Sequence, residues 1–115
     1  MMKSTRVFQT WEFRVSHGQL LIRSPKGKSD PTNQDVIFHG VEFMEIPRYF
    51  SGLEVADATE EETRKVAMKI PDRIKKVKVF VLISANQRSL VAAAAFKQSE
   101  NELDIFVTSL ETFKA

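Results

Sequence analysis

Apolar residues recur at every second position near the start of the chain, and this repeat predicts a half-buried β-strand over residues 6–15. The alternating positions on the predicted buried face are Val7, Gln9, Trp11, Phe13 and Val15. Gly18 then allows the tight turn of a hairpin, with residues 19–24 as the returning strand. With His17 and Gly18 as the loop, the facing pairs are Val15 with Leu20, Phe13 with Ile22, and Glu12 with Arg23.

The middle of the chain predicts a loop and then broken strands. Residues 24–35 hold two prolines and a glycine among small polar residues, which favours irregular structure. Residues 36–46 regain strand character, but the apolar phase changes near His39-Gly40, as at a β-bulge. Residues 48–52 predict a turn, and residues 53–56 predict a short strand.

One helix is predicted, over about residues 59–70. Thr59 and Glu62 form a capping box, and Pro71 bars continuation of the helix. Its narrow apolar stripe consists of Thr63, Val66, Ala67 and Ile70.

The C-terminal part predicts a three-stranded meander over residues 77–84, 89–97 and 103–110. With Asn86-Gln87 as the first loop, one face of the meander is wholly apolar. The opposite face, which includes Phe80, Leu82, Val91 and Ala93, is also too apolar for water, and it requires cover from the helix, the first hairpin or another subunit.

Together these elements predict an α+β fold in one domain over residues 1–115. Its core is a mainly antiparallel, twisted sheet of six to seven strands, with the helix before the meander; a partly closed barrel is the second choice. The size suits a single hydrophobic core without disulfide or metal support.

The composition limits the cellular compartment and the kinds of chemistry that we expect of this protein. The chain has no cysteine, and 17 basic residues against 15 acidic ones leave a net charge of only +2. No apolar run is long enough to span a bilayer, and the start lacks the apolar core of a signal peptide, so we expect a cytoplasmic protein without a membrane partner.

Catalytic and metal-binding motifs are missing from the sequence. Gly27-Lys28-Ser29 resembles the end of a phosphate loop, but Ile22 stands where the first glycine belongs and Pro31 follows. His17 and His39 lack the spacing of metal ligands and are most simply turn and bulge residues. We therefore assign no catalytic residue, metal site or cofactor.

Two groups of residues remain as candidate binding sites. The first is a pair of basic clusters, at 23–28 and 64–78, that would hold phosphates if they meet in space. Their members in the candidate site are Arg23, Lys26, Lys28, Arg73, Lys75 and Lys76. The second group is Tyr49 and Phe50, an aromatic pair in a predicted turn that would suit partner recognition.

The leading interpretation is a non-enzymatic binding or interaction module, with a protein partner or a homodimer formed through the sheet. The alternative is a nucleic-acid or phosphate-ligand binding protein that uses the basic clusters at 23–28 and 64–78. A second alternative is a small enzyme with an active site dispersed over several strands.

Overall fold

The computed structural model describes residues 1–110 and contains one antiparallel sheet and one α-helix. The helix, α1, spans Glu60–Lys69. The eight strands are β1 (Met2–Arg14), β2 (Gln19–Ser24), β3 (Asn33–His39), β4 (Phe43–Glu45), β5 (Tyr49–Asp57), β6 (Lys78–Ser84), β7 (Gln87–Ala93) and β8 (Ala95–Asn101). The predicted α+β class with a single helix is confirmed.

The order of the strands in the sheet is β4-β7-β6-β5-β1-β2-β3-β8. Strands β7 and β8 follow each other with only Ala94 between them, yet β7 pairs with β6 and β4 whereas β8 pairs with β3. The Ala94 amide donates to the carbonyl oxygens of His39 (3.0 Å) and Gly40 (3.2 Å), which fixes this crossing point. The sheet is therefore strongly curled, although its ladder of strands is not closed.

The inner face of the curled sheet carries the main core. Three aromatic rings lie at its centre, with the Phe38 centroid 5.2 Å from that of Phe80 and 5.5 Å from that of Phe96. Phe8 and Phe50 pair across β1 and β5 and are buried on the same side. Strands from both halves of the chain thus share one hydrophobic cluster.

The predicted C-terminal meander is correct in the two faces of β6 and β7 and wrong beyond them, since Phe96, predicted on the face of Val79, packs with Phe80 instead. The loop is Ala85-Asn86, both with positive φ, so Val81 faces Leu90 rather than Ala92. This slip of two residues leaves every side chain on the predicted face, because the side-chain repeat of a strand is two. Residues 103–110 form no strand, because β8 continues through the predicted turn to pair with β3.

Both apolar faces of β6 and β7 are covered within the chain. The face with Phe80, Leu82, Val91 and Ala93 belongs to the main core and packs with residues of the first hairpin. On the opposite face, Val79, Val81, Leu90 and Ala92 pack with Val66 of α1. The uncovered face that suggested a homodimer is thus filled by the chain itself.

The first hairpin has a different register from the predicted one. Val15–His17 form a turn of 3₁₀ helix before Gly18 (φ +58°), so Phe13 faces Leu20 instead of Ile22. A bulge between Thr10 and Glu12 interrupts the alternation of β1. As a result the predicted buried face was wrong.

The outward residues of β1 are those that the alternation had placed in the core. Phe8 is buried and Val7 is exposed, because Phe8 pairs with Phe50 on the inner face. Phe13 and Val15 lie beyond the bulge, near the hairpin turn, and are also exposed. Trp11 is half-buried and packs with Leu21, Ile37 and Leu110 on the outer face. The apolar outer residues of β1 are therefore left to meet solvent.

The phase change near His39-Gly40 marks the end of a strand rather than a bulge within one. After Gly40 (φ +68°) the chain leaves β3 and forms β4 beside β7, at the other end of the sheet order. A side chain at Gly40 would approach the Ala94 Cβ atom to 2.9 Å, so the crossing requires a glycine. The predicted turn at residues 48–52 is also wrong, because β5 already begins at Tyr49.

Helix α1 begins and ends as predicted. The Thr59 hydroxyl accepts from the Glu62 amide, the Glu62 carboxylate accepts from the Thr59 amide, and Ile70 caps the C-terminal end. Glu62 also accepts two hydrogen bonds from Arg88, at 2.9 and 3.0 Å. The helix is thereby tied to β7. Within residues 1–110, no helix has the length and apolar character to cross a membrane.

Glu62 gives the fold a measurable acid sensitivity. The hydrogen bonds from Arg88, which outweigh partial burial, together with that from Thr59 lower the pKa of Glu62 from 4.5 to about 2. A lowered folded-state pKa stabilises the protein above pH 4.5, and this contribution is lost as the pH falls towards 2. We expect Glu62→Gln to lower the thermal midpoint at pH 7, and the difference from the native chain to vanish near pH 2. Thermal unfolding followed by circular dichroism checks this; a difference independent of pH would contradict it.

Candidate binding surface

The outer face of the sheet carries a row of paired residues across three strands. Gln9 of β1 lies opposite Tyr49 of β5 on one side and opposite Arg23 of β2 on the other. Neighbouring strands are about 5 Å apart, so the row from Tyr49 to Arg23 spans about 10 Å. Val7 lies on the same face, opposite Ser51.

The inner packing of β1 and β5 explains why apolar side chains point outward here. Phe8 and Phe50 occupy the inner face, and successive side chains of a strand alternate between faces. Val7 and Tyr49, each next to one of these phenylalanines, therefore project into solvent. Their exposed fractions are 57% and 55%.

Two further exposed apolar side chains belong to the segment at the end of the described chain, whose backbone contacts Arg23. The Arg23 Nη1 atom donates to the carbonyl oxygens of Ile105 and Val107, both at 2.9 Å, and this holds the segment over the row. The Val107 amide closes a turn on the Asp104 carbonyl oxygen, with Phe106 at its tip. Phe106 is 86% exposed and Val107 is 46% exposed.

We refer to the residues of this outer face and of the segment held by Arg23 at its end as the Tyr49 surface: Val7, Gln9, Tyr49, Phe106 and Val107. Beside it, a hollow of about 300 Å³ lies between β1 and the loop that joins β2 to β3, lined in part by Val7, Gln9 and Pro25. The Arg48 guanidinium lies over the Tyr49 ring, 5.1 Å from its centroid. The surface thus combines apolar contacts with a polar margin.

Glu12 marks the edge of this region nearest the hairpin turn. Burial raises the pKa of its carboxyl, but hydrogen bonds from Arg14 and Thr108 and the charge of Arg14 outweigh burial, so the pKa is lowered overall. The Arg14 Nε atom lies 3.0 Å from Glu12 Oε2. A carboxylate that is fixed in this way helps hold the end of the chain against β1.

Tyr49 and Phe50 are adjacent in β5, and their side chains lie on opposite faces of the sheet. Tyr49 is exposed as predicted, but Phe50 is fully buried in the main core and is corrected from a surface residue to a core residue. The reason is strand alternation, which sends adjacent side chains to opposite faces.

The N-terminal basic cluster is largely engaged in internal contacts. Arg23 is fully buried and forms a bidentate pair with Asp35, at 2.7 and 3.0 Å. Lys26 donates to the Glu102 carbonyl oxygen at 2.8 Å. Lys28 is exposed in the loop between β2 and β3.

The other basic cluster lies on and after α1. Arg73 is paired with Glu42 at 2.8 Å, and Lys75 and Lys76 are exposed. Helix α1 packs on β6 and β7, and β5 and β1 stand between these strands and β2 in the sheet order. The structure does not bring the two clusters onto one site.

Acidic groups in the described part of the chain are also mostly engaged. Among residues 1–110, no three His, Cys, Asp or Glu side chains are grouped so that they could hold a metal ion. A polar hollow of about 190 Å³ includes Asp35 and Glu100, but Asp35 pairs with Arg23 and Glu100 accepts from Thr32 at 2.6 Å. These carboxylates have structural partners.

No protein-family model matches the chain, and neither a curated protein nor a solved structure shows significant similarity to it. The Tyr49 surface and the contacts that position it are therefore the features that bear on function.

Sequence reasoning found Tyr49 but not its apolar neighbours. Val7 was predicted to be buried, and Phe106 and Val107 were placed in a strand of the meander. The outward direction of Val7 has a signal in the chain, because Phe8 and Phe50 are the larger apolar residues at a facing pair. Nothing local indicates that the segment after β8 crosses back over β2.

Proposed function

We propose that this chain is a non-enzymatic, cytoplasmic binding module that recognises a protein partner through the Tyr49 surface. The observation that carries the proposal is that Val7 and Tyr49 are exposed on neighbouring strands of one outer face, and that the segment held by Arg23 at the end of the same row exposes Phe106 and Val107. Single exposed apolar residues are ordinary, but a contiguous group of them is typical of interaction sites.

The composition of the surface suits association with a protein. Tyr49 and Phe106 offer large aromatic contacts, and Tyr is among the residues enriched where binding energy concentrates. Val7 and Tyr49 lie on paired strands, so little backbone order is lost when a partner binds. Arg48 and Asp104 supply charged groups at the margin, as in the polar rim of an interface.

Self-association through this surface is one form of the proposal. The apolar face of β6 and β7 that first suggested a homodimer is covered by the first hairpin, so a homodimer would now have to use the Tyr49 surface. A two-fold contact would place each Tyr49 surface against its copy.

The nucleic-acid alternative has less support. Its strongest candidate, Arg23, is buried against Asp35, and Arg73 is paired with Glu42. The exposed bases of residues 64–78 lie on another part of the sheet, and that stretch of sequence contains no aromatic residue for base stacking. Phosphate contact by Lys75 and Lys76 alone would be weak and strongly dependent on salt.

Site-specific photo-crosslinking tests the proposal. A photoreactive phenylalanine analogue is placed at Tyr49 in the full chain, in cells that produce it, and adducts are identified by mass spectrometry. We expect a discrete adduct from position 49, because that side chain is exposed at the centre of the surface.

The matched control is the same analogue at Met68. This residue is 83% exposed on α1 and lies outside the Tyr49 surface. A discrete adduct from position 49 that is absent from position 68 supports the proposal, and its mass separates self-association from a different partner. Equal labelling at both positions, or none at position 49, would contradict it.

A further inference from the structure

The end of the described chain lies on the outer face of β2 and β3 like a bound peptide. We call residues 102–110 the strap. Its carbonyl oxygens at alternate residues accept hydrogen bonds from side chains of the sheet: Leu103 from Asn33 at 2.8 Å, and Ile105 and Val107 from Arg23, both at 2.9 Å. Recognition of alternate backbone carbonyls does not depend on the side chains of the bound segment.

Two side chains at the far end of the strap are recognised individually. The Ser109 hydroxyl donates to Asp35 Oδ2 at 2.6 Å. Leu110 is fully buried and packs with Leu21, Ile37 and Trp11. This site therefore recognises a hydroxyl-bearing residue followed by an aliphatic residue.

Other strap side chains make little use of the sheet. Phe106 is exposed at the turn, and the Asp104 side chain is 88% exposed. The strap is held through its backbone, its last two described residues, the hydrogen bond of Thr108 to Glu12 and the exposed pair of Asp104 with Lys26. This division, with backbone contacts for affinity and a pocket for specificity, is how extended peptides are commonly bound.

The polar side chains beneath the strap also bond to one another. Arg23 and Asp35 form their bidentate pair with each other, and Asn101 donates to Asp35 Oδ2 at 2.8 Å. Removal of the strap therefore leaves no buried charge without a partner, and water can replace the carbonyl oxygens on Arg23. The main apolar loss is that of the fully buried Leu110 side chain.

We propose that the outer face of β2 and β3 is a peptide-binding groove, and that the strap occupies it in cis and inhibits it. The ligand in trans is an extended segment of another protein, with a hydroxyl-bearing residue followed by an aliphatic one. Arg23 and Asn33 take its backbone carbonyls, Asp35 takes its hydroxyl, and Trp11, Leu21 and Ile37 hold its aliphatic side chain. Phe106 and Val107 belong both to the strap and to the Tyr49 surface, but the two proposals have separate readouts: Trp11 fluorescence reports occupation of the groove, and the adduct from position 49 of the native chain reports the Tyr49 surface.

The test uses the full chain with Leu110→Asp. This substitution puts a carboxylate into the apolar slot formed by Trp11, Leu21 and Ile37, and so releases the strap. The ligand is a synthetic peptide of residues 102–110 with blocked ends. Trp11 is the only tryptophan, and its fluorescence reports occupation of the slot. We expect the variant to bind the peptide at least about tenfold more tightly than the native chain, whose groove is occupied.

Two peptides and a milder variant serve as controls. Glu102→Gln in the peptide should leave binding unchanged, whereas Leu110→Asp in the peptide should abolish it. If Leu110→Asp unfolds the chain, as judged by circular dichroism, Ser109→Ala takes its place, because it removes the hydroxyl contact to Asp35 alone.

The absence of a saturable fluorescence change in a folded, strap-weakened variant would overturn the proposal. Equal affinity for the variant and the native chain would overturn the inhibitory role of the strap. A dimer of the native chain that excess peptide converts to monomer would show that the segment bound in trans belongs to a second copy, and would overturn the assignment to a different protein.

Discussion

Asp35→Ala is expected to lower the free energy of unfolding by about 3–5 kcal/mol, because it leaves a buried guanidinium without its carboxylate. Arg23 and Asp35 are both fully buried as side chains, 2.7 Å apart. Asp35 also accepts hydrogen bonds from Asn101 and Ser109, and these donors would lose their acceptor too. Equilibrium unfolding in urea measures the change.

The matched control for this substitution is Asp57→Ala. Asp57 also forms an ion pair, 2.6 Å from Lys78, but its side chain is 67% exposed. Exposed pairs contribute little, so the control should change the free energy of unfolding by less than about 1 kcal/mol. If both variants lose the same small amount, the Asp35 network is not a major support of the fold.

Phe38→Ala is expected to cost about 3–5 kcal/mol, since it removes a fully buried ring from the centre of the core. Phe38 lies on the inner face of β3 and contacts Phe80 of β6 and Phe96 of β8. The loss would leave a cavity between strands that lie far apart in the sheet order. Urea unfolding again gives the magnitude.

Phe106→Ala is the matched control for that loss. Its ring is 86% exposed, so truncation should change the free energy of unfolding by less than about 0.5 kcal/mol. A loss at Phe106 as large as at Phe38 would mean that Phe106 packs against the protein. The proposed role of Phe106 at the binding surface would then fail as well.

The correct parts of the fold prediction depend on residues that are close together in the sequence. The capping box at Thr59 and Glu62 and the stop at Pro71 locate α1, because helix ends depend on side chains a few residues away. The alternation in β6 and β7 separates their faces correctly, and a slip of two residues in the turn does not change those faces.

The wrong predictions depend on contacts between distant parts of the chain. The predicted strand over residues 36–46 is two strands at opposite ends of the sheet order, joined through Gly40. Residues 103–110 lack strand structure because Asn33 and Arg23 take their backbone carbonyls. No local sequence pattern indicates hydrogen-bond donors that lie so far away in the chain.

Only part of the candidate surface could be predicted from the sequence. The exposed aromatic character of Tyr49 was predicted, but Phe50 was placed beside it because a turn was expected in place of β5. The bulge between Thr10 and Glu12 hid the true inner face of β1. Phe106 joins Tyr49 only through the return of the chain over Arg23.

The most direct test of the binding surface is the crosslinking yield from position 49. It is compared between a chain whose surface is otherwise intact and a chain that also carries Val7→Asp. Val7 lies on the same outer face, and a carboxylate there would oppose apolar contact without entering the core. We predict that the discrete adduct is lost in that chain while its thermal midpoint is retained. An undiminished adduct in a folded Val7→Asp chain would contradict the account.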